Sequence, residues 1–223
     1  MRRVLHYLRI PFGILIAILI IACALFAFGK ISVNTDRQVA GEKNSFGDTL
    51  TGTLKDGDLA GEGSIVFQNG DRYEGGFNKG VFEGKGTYTA KAGWIYRGDF
   101  RDGKPDGEGF LIAAGGAVYT GKFSAGEIAD TGRLTNPEGW NYDGAWQKGA
   151  VTGEGTFTWK DGSVYTGGFQ DGLASGTGSY KDAAGWSYQG GFLAGKFDGK
   201  GVMTFQNGET LDTTWTAGAP GDY

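Results

Sequence analysis

Large hydrophobic residues recur along this chain at a fixed interval of 23 residues. In six of the seven full copies a tyrosine comes first (the first copy has Leu50), a glycine follows two positions later, and an aromatic residue usually follows two positions after that, as in Tyr73, Gly75 and Phe77. Alternate residues of a β-strand share one face, so the pattern predicts a strand with a glycine between two rings. The opening tyrosines are Tyr73, Tyr96, Tyr119, Tyr142, Tyr165 and Tyr188.

A second strand is predicted in each copy, after a turn that contains a glycine such as Gly80. Gly84 and Gly86 again stand two positions apart. A further turn, such as Asn69-Gly70, closes the copy with a dipeptide that favours tight hairpins. Each copy is therefore predicted to be one β-hairpin. One copy departs from the pattern, because Asp130 stands where the other copies have the first of the paired glycines.

A period in the twenties is typical of stacked-repeat proteins. The predicted fold is an all-β repeat domain over residues 47–218, an elongated single-layer antiparallel sheet of stacked 23-residue β-hairpins. It contains seven full copies and a half-copy cap. The cap, residues 211–218, has Thr213 at the usual glycine position, which fits the atypical end of a solenoid.

The repeated signature resembles that of the MORN repeat family. It reads Y-x-G-x-(F/W)-x-x-G, then G-x-G, then a turn glycine, as in YDGAWQKGAVTGEGTFTWKDG at residues 142–162, and it recurs in register over residues 50–218. The resemblance implies single-layer sheets of stacked hairpins. It also implies assembly and docking modules, often near membranes, for which contact with phospholipids has been proposed.

The amino-terminal stretch predicts one transmembrane α-helix ahead of the repeats. Residues 10–28 contain no charged side chain, and a helix of that length spans about 28 Å, close to the thickness of a hydrocarbon core. Arg2, Arg3 and Arg9 precede it, so the positive-inside rule predicts a cytoplasmic N-terminus and extracytoplasmic repeats, periplasmic in a Gram-negative bacterium. The residues expected to contact lipid include Ile14, Leu15, Ile18, Leu19, Leu25 and Phe26.

The boundaries predicted on this basis are residues 1–9 for the cytoplasmic end, 10–29 for the anchor, 30–46 for a polar tether and 219–223 for a tail. Two alternatives to an uncleaved anchor remain open. Ala27-Phe28-Gly29 has the small-x-small form of a signal-peptidase site, and the sequence up to Cys23 loosely resembles a lipoprotein box. The apolar residues that follow Cys23 argue against the lipoprotein.

Charge and residue usage narrow the possible functions. Four of the 21 lysines and arginines lie in the first 30 residues, which contain no acidic residue, so residues 31–223 carry a net charge of −8. An acidic domain disfavours nucleic acid and anionic lipid. His6 and Cys23 are the chain's single histidine and cysteine, so histidine triads, thiol nucleophiles and typical zinc sites are excluded from the repeats. We therefore expect no enzyme, no cofactor and no metal site.

Large rings also follow a longer rhythm of 46 residues. Trp94, Trp140 and Trp186 follow the turn glycine in alternate copies, and most intervening copies place a ring four residues earlier, as at Trp159. One interpretation is complementary packing between neighbouring copies. The other is a ladder that binds a partner, and its candidate residues are Trp94, Trp140, Trp186, Trp146, Trp159, Tyr119, Tyr142 and Tyr165.

The function predicted from the sequence is a membrane-anchored, non-catalytic scaffold that presents its sheet to a protein partner in a membrane or envelope complex. An alternative is an accessory module that binds envelope polysaccharide through the ring ladder, and a second alternative is a module that contacts phospholipid. A homodimer is also possible, because a single-layer sheet is expected to leave a ring-lined face open for association.

Overall fold

The structure is a computed structural model, and it describes residues 36–220. These residues form strands and turns, and no helix among them has the length and apolarity needed to cross a membrane. The predicted anchor, with its candidate lipid-contacting residues Ile14, Leu15, Ile18, Leu19, Leu25 and Phe26, lies outside the described residues.

The described residues divide into an N-terminal unit, residues 36–127, and a C-terminal unit, residues 128–220. The strands of the N-terminal unit are β1 (Arg37–Lys43), β2 (Thr49–Lys55), β3 (Asp58–Val66), β4 (Arg72–Asn78), β5 (Val81–Thr89), β6 (Ile95–Arg101), β7 (Lys104–Ile112) and β8 (Val118–Ser124). β9 (Glu127–Thr135) starts at the boundary and is followed by β10 (Asn141–Gln147), β11 (Ala150–Thr158), β12 (Val164–Gln170), β13 (Leu173–Lys181), β14 (Ser187–Leu193), β15 (Lys196–Thr204), β16 (Thr210–Thr216) and β17 (Ala219–Pro220).

Within each unit, every strand pairs antiparallel with its neighbour along the chain. The predicted all-β fold of antiparallel hairpins is therefore confirmed for the described residues. Its elongated shape stays a prediction.

The first strand lies inside the segment that the sequence predicted to be a tether. β1 pairs antiparallel with β2, Val39 is buried, and Arg37 forms an ion pair with Glu42 at 2.5 Å. The segment reads as polar because β1 has only one neighbouring strand and buries little more than Val39. The tether that remains between the predicted anchor and the first strand is therefore residues 30–36.

The turn inside each copy is a tight two-residue turn in which both residues have positive φ, as at Lys79 (φ 49°) and Gly80 (φ 77°). This is the type I′ geometry that matches the twist of paired strands. The amide of Gly80 donates to the carbonyl of Leu59 in the preceding copy at 2.9 Å. Each tight turn is thus hydrogen-bonded to the start of the strand that follows the preceding tight turn.

The turn between copies is wider than the sequence predicted. Around Asn69-Gly70 the chain forms a five-residue loop, in which the Phe67 amide donates to the Asp71 carbonyl and the Gly70 amide donates to the Phe67 carbonyl, both at 2.9 Å. Only Gly70 has a positive φ, and the Asn69 side chain instead accepts a hydrogen bond from the Asp71 amide. We call these connections the wide loops.

The two glycines of each G-x-G pair are required for different structural reasons. In β4 and β5, Gly75 lies opposite Gly86, whereas the three residues 83–85 lie opposite Gly76 alone. The extra residues form a bulge, and Gly84 within it has φ +74°. Gly86 has ordinary backbone geometry, but a Cβ there would lie 2.6 Å from the Tyr73 ring. Gly84 therefore supplies a backbone conformation, and Gly86 supplies space for a ring.

The opening tyrosines lie across these glycines as the sequence predicted. The Tyr73 ring is fully buried, and its hydroxyl donates to the carbonyl of Gly76 at 2.9 Å. The same bond to the carbonyl three residues on is made by Tyr96, Tyr119, Tyr142, Tyr165 and Tyr188. A buried hydroxyl with its partner satisfied costs little, so these tyrosines are structural.

The ring-lined face is closed, which corrects the expectation that a single layer leaves it open. Tyr73 stacks on Phe82 with centroids 3.7 Å apart, although the strand register pairs Phe82 with Phe77. A bulge bends its strand, and the two halves of each hairpin thereby close over the rings. Phe77, Phe82 and Phe100 are each at most 6 % exposed.

Candidate functional site

Five of the eight predicted partner-binding residues are buried in the core. Tyr119, Tyr142 and Tyr165 are at most 1 % exposed, and Trp140 and Trp146 are 5 % and 3 % exposed. The Nε1 of Trp146 donates to the Gly132 carbonyl at 3.0 Å. Trp94, Trp159 and Trp186 are half-buried and reach the surface beside the wide loops. The partner-binding role of all eight stays a prediction, but only these three offer ring surface to a partner without rearrangement.

In the N-terminal unit, the exposed ring surface is built around Tyr88. Trp94 stacks on Tyr88 with centroids 5.0 Å apart and an interplanar angle of 11°, and Phe67 packs near the same ring at 6.2 Å. Phe67 is buried, whereas Tyr88 and Trp94 are half-buried. The rings come from two consecutive copies, so stacking holds them in fixed positions at the wide-loop end.

Asp71 ties two wide loops together beneath these rings. Its carboxylate accepts the Tyr88 hydroxyl at 2.7 Å, the Lys91 amide at 2.8 Å and the Asn69 side chain at 2.8 Å. Partial burial raises the pKa of the Asp71 carboxyl, but these three hydrogen bonds outweigh it and lower the pKa below its ordinary value. Tyr88 is thereby fixed in place by a carboxylate that stays ionised at neutral pH.

The C-terminal unit has a longer series of the same contacts. Trp140 stacks on Phe157 at 5.4 Å, and Trp159 packs edge-on against Phe157 at 4.6 Å and against Tyr180 at 5.6 Å. Trp186 lies 5.0 Å from Tyr180. Trp186 also lies 6.3 Å from Phe197, so each of these three indoles packs beside a ring of the next copy, as the complementary-packing interpretation of the 46-residue rhythm expects.

Polar groups of the C-terminal unit hold its rings as Asp71 does in the other unit. The buried Ser163 hydroxyl accepts the Ala183 amide at 3.1 Å, and the Tyr180 hydroxyl donates to Asp182 at 3.1 Å. Burial raises the pKa of Tyr180 to about 12, so its hydroxyl remains a donor at neutral pH. In the sequence, Asp71 and Ser163 stand at the position that Trp94 and Trp186 occupy in alternate copies. The repeat pattern did not predict that Asp71 and Ser163 form hydrogen bonds to the next wide loop.

We call the half-buried rings beside the wide loops the ring rim, defined as Tyr88 and Trp94 in the N-terminal unit and Trp159, Tyr180 and Trp186 in the C-terminal unit. Among the described residues, no three histidine, cysteine or acidic side chains lie close enough to hold a metal ion. What the rim can do is bury aromatic surface against another molecule.

Comparison with known proteins finds similar solved structures. The structure is similar to the SAS-4 (dCPAP) TCP domain of Drosophila melanogaster, solved in complex with a proline-rich motif of Ana2 (dSTIL), with a TM-score of 0.44, 14 % identity, and coverage of 81 % of this chain and 90 % of that one. It is also similar to the G-box domain of the microcephaly protein CPAP, with a TM-score of 0.33, 15 % identity, and coverage of 82 % and 100 %. No curated protein matches the chain.

The MORN repeat profile matches residues 51–72, 73–94, 96–118, 142–164, 165–187 and 188–210. These ranges cover more than half of the chain. They leave out residues 119–141, the copy in which Asp130 replaces a glycine. The matched repeats coincide with the hairpins described above, and this chain belongs to the MORN repeat family, a family of non-catalytic repeat modules.

Proposed function

We propose that the chain is a non-catalytic docking scaffold, held at a membrane by residues 10–29, that presents its ring rim to a protein partner in a membrane or envelope complex. The observation that carries the proposal is that Trp94, Trp159 and Trp186 are half-buried and are braced by stacked rings. Tryptophan and tyrosine dominate the energetic centres of protein interfaces. Rings that are already fixed lose little conformational entropy on binding.

The position of β1 supports a protein partner over phospholipid. Residues 30–36 span at most about 24 Å when fully extended. β1 begins at Arg37, opposite Leu54 and next to the tight turn at Asp56-Gly57. In the N-terminal unit the tight turns are thus tethered near the proposed membrane, and Trp94 lies at the opposite end of the strands. The net charge of −8 over residues 31–223 also opposes contact with anionic lipid.

Photo-crosslinking in intact cells tests which molecule the ring rim meets. A photoactivatable phenylalanine analogue replaces Trp94, and the control variant carries it at the exposed Lys79, at the opposite end of the same strands. We expect a discrete protein adduct from position 94 and none from position 79. Lipid adducts at position 94, or no adduct there, would reject the protein-docking proposal.

The proposed topology has its own test. Cys23 is the single cysteine, so Cys23→Ala combined with Ser124→Cys leaves one thiol, at an exposed position beside a tight turn. We expect a membrane-impermeant thiol reagent to label this variant in cells whose inner membrane is intact. Labelling that appears only after cell lysis would place the repeats in the cytoplasm.

Polysaccharide remains a second candidate partner, favoured by Trp159, Tyr180 and Trp186, which form a run of half-buried rings in the C-terminal unit. Stacking of sugar faces on these rings would quench tryptophan fluorescence. Trp159→Ala and Trp186→Ala should then remove the quenching, whereas the exposed Leu193→Ala should not. Titration with envelope glycans that leaves the wild-type fluorescence unchanged would eliminate this candidate.

A further inference from the structure

The N-terminal unit has a second surface, on the face of the sheet opposite the buried rings. An open groove of about 800 Å³ runs there across the strands from β3 to β8. Its floor is the backbone of Gly75, Gly86, Gly98 and Gly109, which lie opposite one another in successive strands. A Cβ on Gly86, Gly98 or Gly109 would point to a tyrosine on the ring-bearing face, so the groove itself is bounded by the outward-facing side chains of the same strands.

One wall of the groove carries a cation and a ring that have no partner within the described residues. Arg97 lies directly opposite Phe110 in the pairing of β6 with β7. Phe110 is 37 % exposed and contacts no other ring of residues 36–220. The Arg97 guanidinium is exposed and makes no hydrogen bond or ion pair with another described residue, in contrast to Lys85, which binds Asp99 at 2.7 Å.

The other groups of the groove restrict the charge of an occupant. Glu62 and Glu108 also line it, and their carboxylates make no hydrogen bond or ion pair within the described part of the chain. Glu74 lines it as well and is paired with Arg72 at 2.7 Å. An occupant with many acidic groups is repelled by these carboxylates, whereas a single carboxylate can reach Arg97. The surface around Arg97 and Phe110 thus accepts one acidic group next to an apolar one, whereas Glu62 and Glu108 favour uncharged or basic groups elsewhere along the occupant.

The shape of the groove favours an extended chain. The groove crosses from β3 to β8, which at the usual strand spacing corresponds to about 24 Å, the length of roughly seven extended residues. It is shallow and open, so a compact small molecule would bury little surface in it. We propose that this groove binds an extended peptide segment of a protein partner, with one acidic side chain on Arg97 and a neighbouring apolar side chain on Phe110.

This second surface is distinct from the ring rim and does not depend on it. Arg97 and Phe110 lie on the outer face of the strands, whereas Tyr88 and Trp94 lie beside a wide loop on the ring-bearing side. Arg97 is exposed, and an exposed ion pair contributes about 0.2–1 kcal/mol, so loss of Arg97 should weaken peptide binding by up to about fivefold.

The test is selection from a phage-displayed library of random short peptides on the full-length chain in mild detergent, followed by affinity measurements on the selected peptides. We expect peptides with a single acidic residue beside a large apolar one. Arg97→Ala should weaken their binding by up to about fivefold, and Phe110→Ala, which removes ring surface that the peptide would bury, should weaken it about tenfold. The control variants Arg133→Ala and Leu193→Ala remove an exposed cation and an exposed apolar side chain elsewhere and should leave binding unchanged.

Trp94→Ala separates this proposal from the ring-rim proposal, because it should leave peptide affinity unchanged. Selected peptides without an acidic residue, affinity that is insensitive to Arg97→Ala, or a selection that enriches no peptide would each overturn the proposal. Tryptophan fluorescence and circular dichroism on every variant check that the sheet is intact. Both substituted side chains are exposed, so the fold is expected to tolerate the changes.

Discussion

The two glycines of each G-x-G pair should respond differently to alanine, because one is needed for its backbone conformation and the other for space. Gly84 has φ +74°, and a Cβ added to it would meet nothing within 4 Å, whereas Gly86 has ordinary φ and lies against the Tyr73 ring. Gly115 has neither constraint. Alanine at these three positions of the N-terminal unit therefore separates backbone strain, steric conflict and the background effect of replacing a glycine.

The structure allows the change in the free energy of unfolding to be worked out for each variant. In Gly86→Ala the new Cβ would lie 2.6 Å from a Tyr73 ring carbon, so the ring must move and its hydrogen bond to Gly76 is lost. Overpacking costs about 1–3 kcal/mol and the hydrogen bond about 1 kcal/mol, which gives roughly 2–4 kcal/mol in total. Gly84→Ala should cost about 1 kcal/mol for a left-handed alanine. Gly115→Ala should be neutral or stabilise by about 0.4–1 kcal/mol.

Guanidinium titration of the full-length chain in mild detergent, followed by tryptophan fluorescence, measures the free energy of unfolding. Stacked repeats can depart from two-state unfolding, so the m-value of each variant must match that of the wild type before free energies are compared. Amide hydrogen exchange in β4 and β5 provides a local measurement. The reasoning is refuted if Gly86→Ala costs no more than Gly84→Ala, or if Gly115→Ala is as damaging as either.

Three further predictions concern single side chains. Asp130 has φ 60° at the position where other copies have a left-handed glycine, so Asp130→Ala should be less stable than Asp130→Gly by about 1 kcal/mol in a denaturant titration, since both variants remove the same carboxylate and only alanine is strained at positive φ. The Nε1 of Trp140 is buried without a hydrogen-bond partner among the described residues; Trp140→Phe should therefore cost less than Trp146→Phe by about 1 kcal/mol or more, because Trp146 loses a made hydrogen bond. Folding lowers the pKa of Asp71, so the ionised Asp71 stabilises the folded state fully above the ordinary aspartate pKa, and this stabilisation is lost as the pH falls through the lower folded-state pKa. In an acid titration, the free energy of unfolding should therefore fall less in Asp71→Asn than in the wild type. Equal losses in the two proteins would contradict the role of the loop hydrogen bonds.

The sequence predicted the hairpins because strand alternation alone determines which residues share a face. Tyr73, Gly75 and Phe77 are two apart and lie on one face, and the ring over the glycine follows from the missing side chain. The same spacing says nothing about the bulge at residues 83–85, which comes from unequal numbers of residues on paired strands. The bulge bends the hairpin over its rings, so their burial could not be predicted.

Because the bulge could not be predicted, the burial of the candidate partner-binding residues could not be predicted either. A flat sheet would have exposed all eight rings, and the bent sheet buries Tyr119, Tyr142 and Tyr165 completely. The pattern also favoured Asn69-Gly70 as the tight hairpin turn, whereas the tight turn is Lys79-Gly80. Turn type depends on how many residues separate the paired strands, and a lysine at positive φ carries no signal in composition. Arg97 and Phe110 were missed because each is ordinary for a solvent-facing strand position.

Each copy has positions that the fold requires and positions that can vary, and only the variable positions can determine which partner is bound. Tyr73, Gly75, Gly86 and their equivalents lie along the middle of the hairpin, and any added atom there conflicts with a ring or with backbone. Asp130 shows that the bulge position accepts a residue other than glycine when that residue can adopt positive φ, since aspartate tolerates this conformation better than most residues. The copies otherwise differ from one another at the two ends of the hairpin and on the outer face of the sheet. The position after the wide-loop glycine is the clearest case: it carries a ring that reaches the surface in Trp94 and Trp186, a buried ring in Trp140, a polar side chain that binds the next loop in Asp71 and Ser163, and other residues in Ala117 and Glu209. Rim rings also pack on rings of a neighbouring copy, as Tyr88 does near Phe67 and Trp159 against Tyr180, so a partner that binds the rim meets pairs of copies rather than single ones.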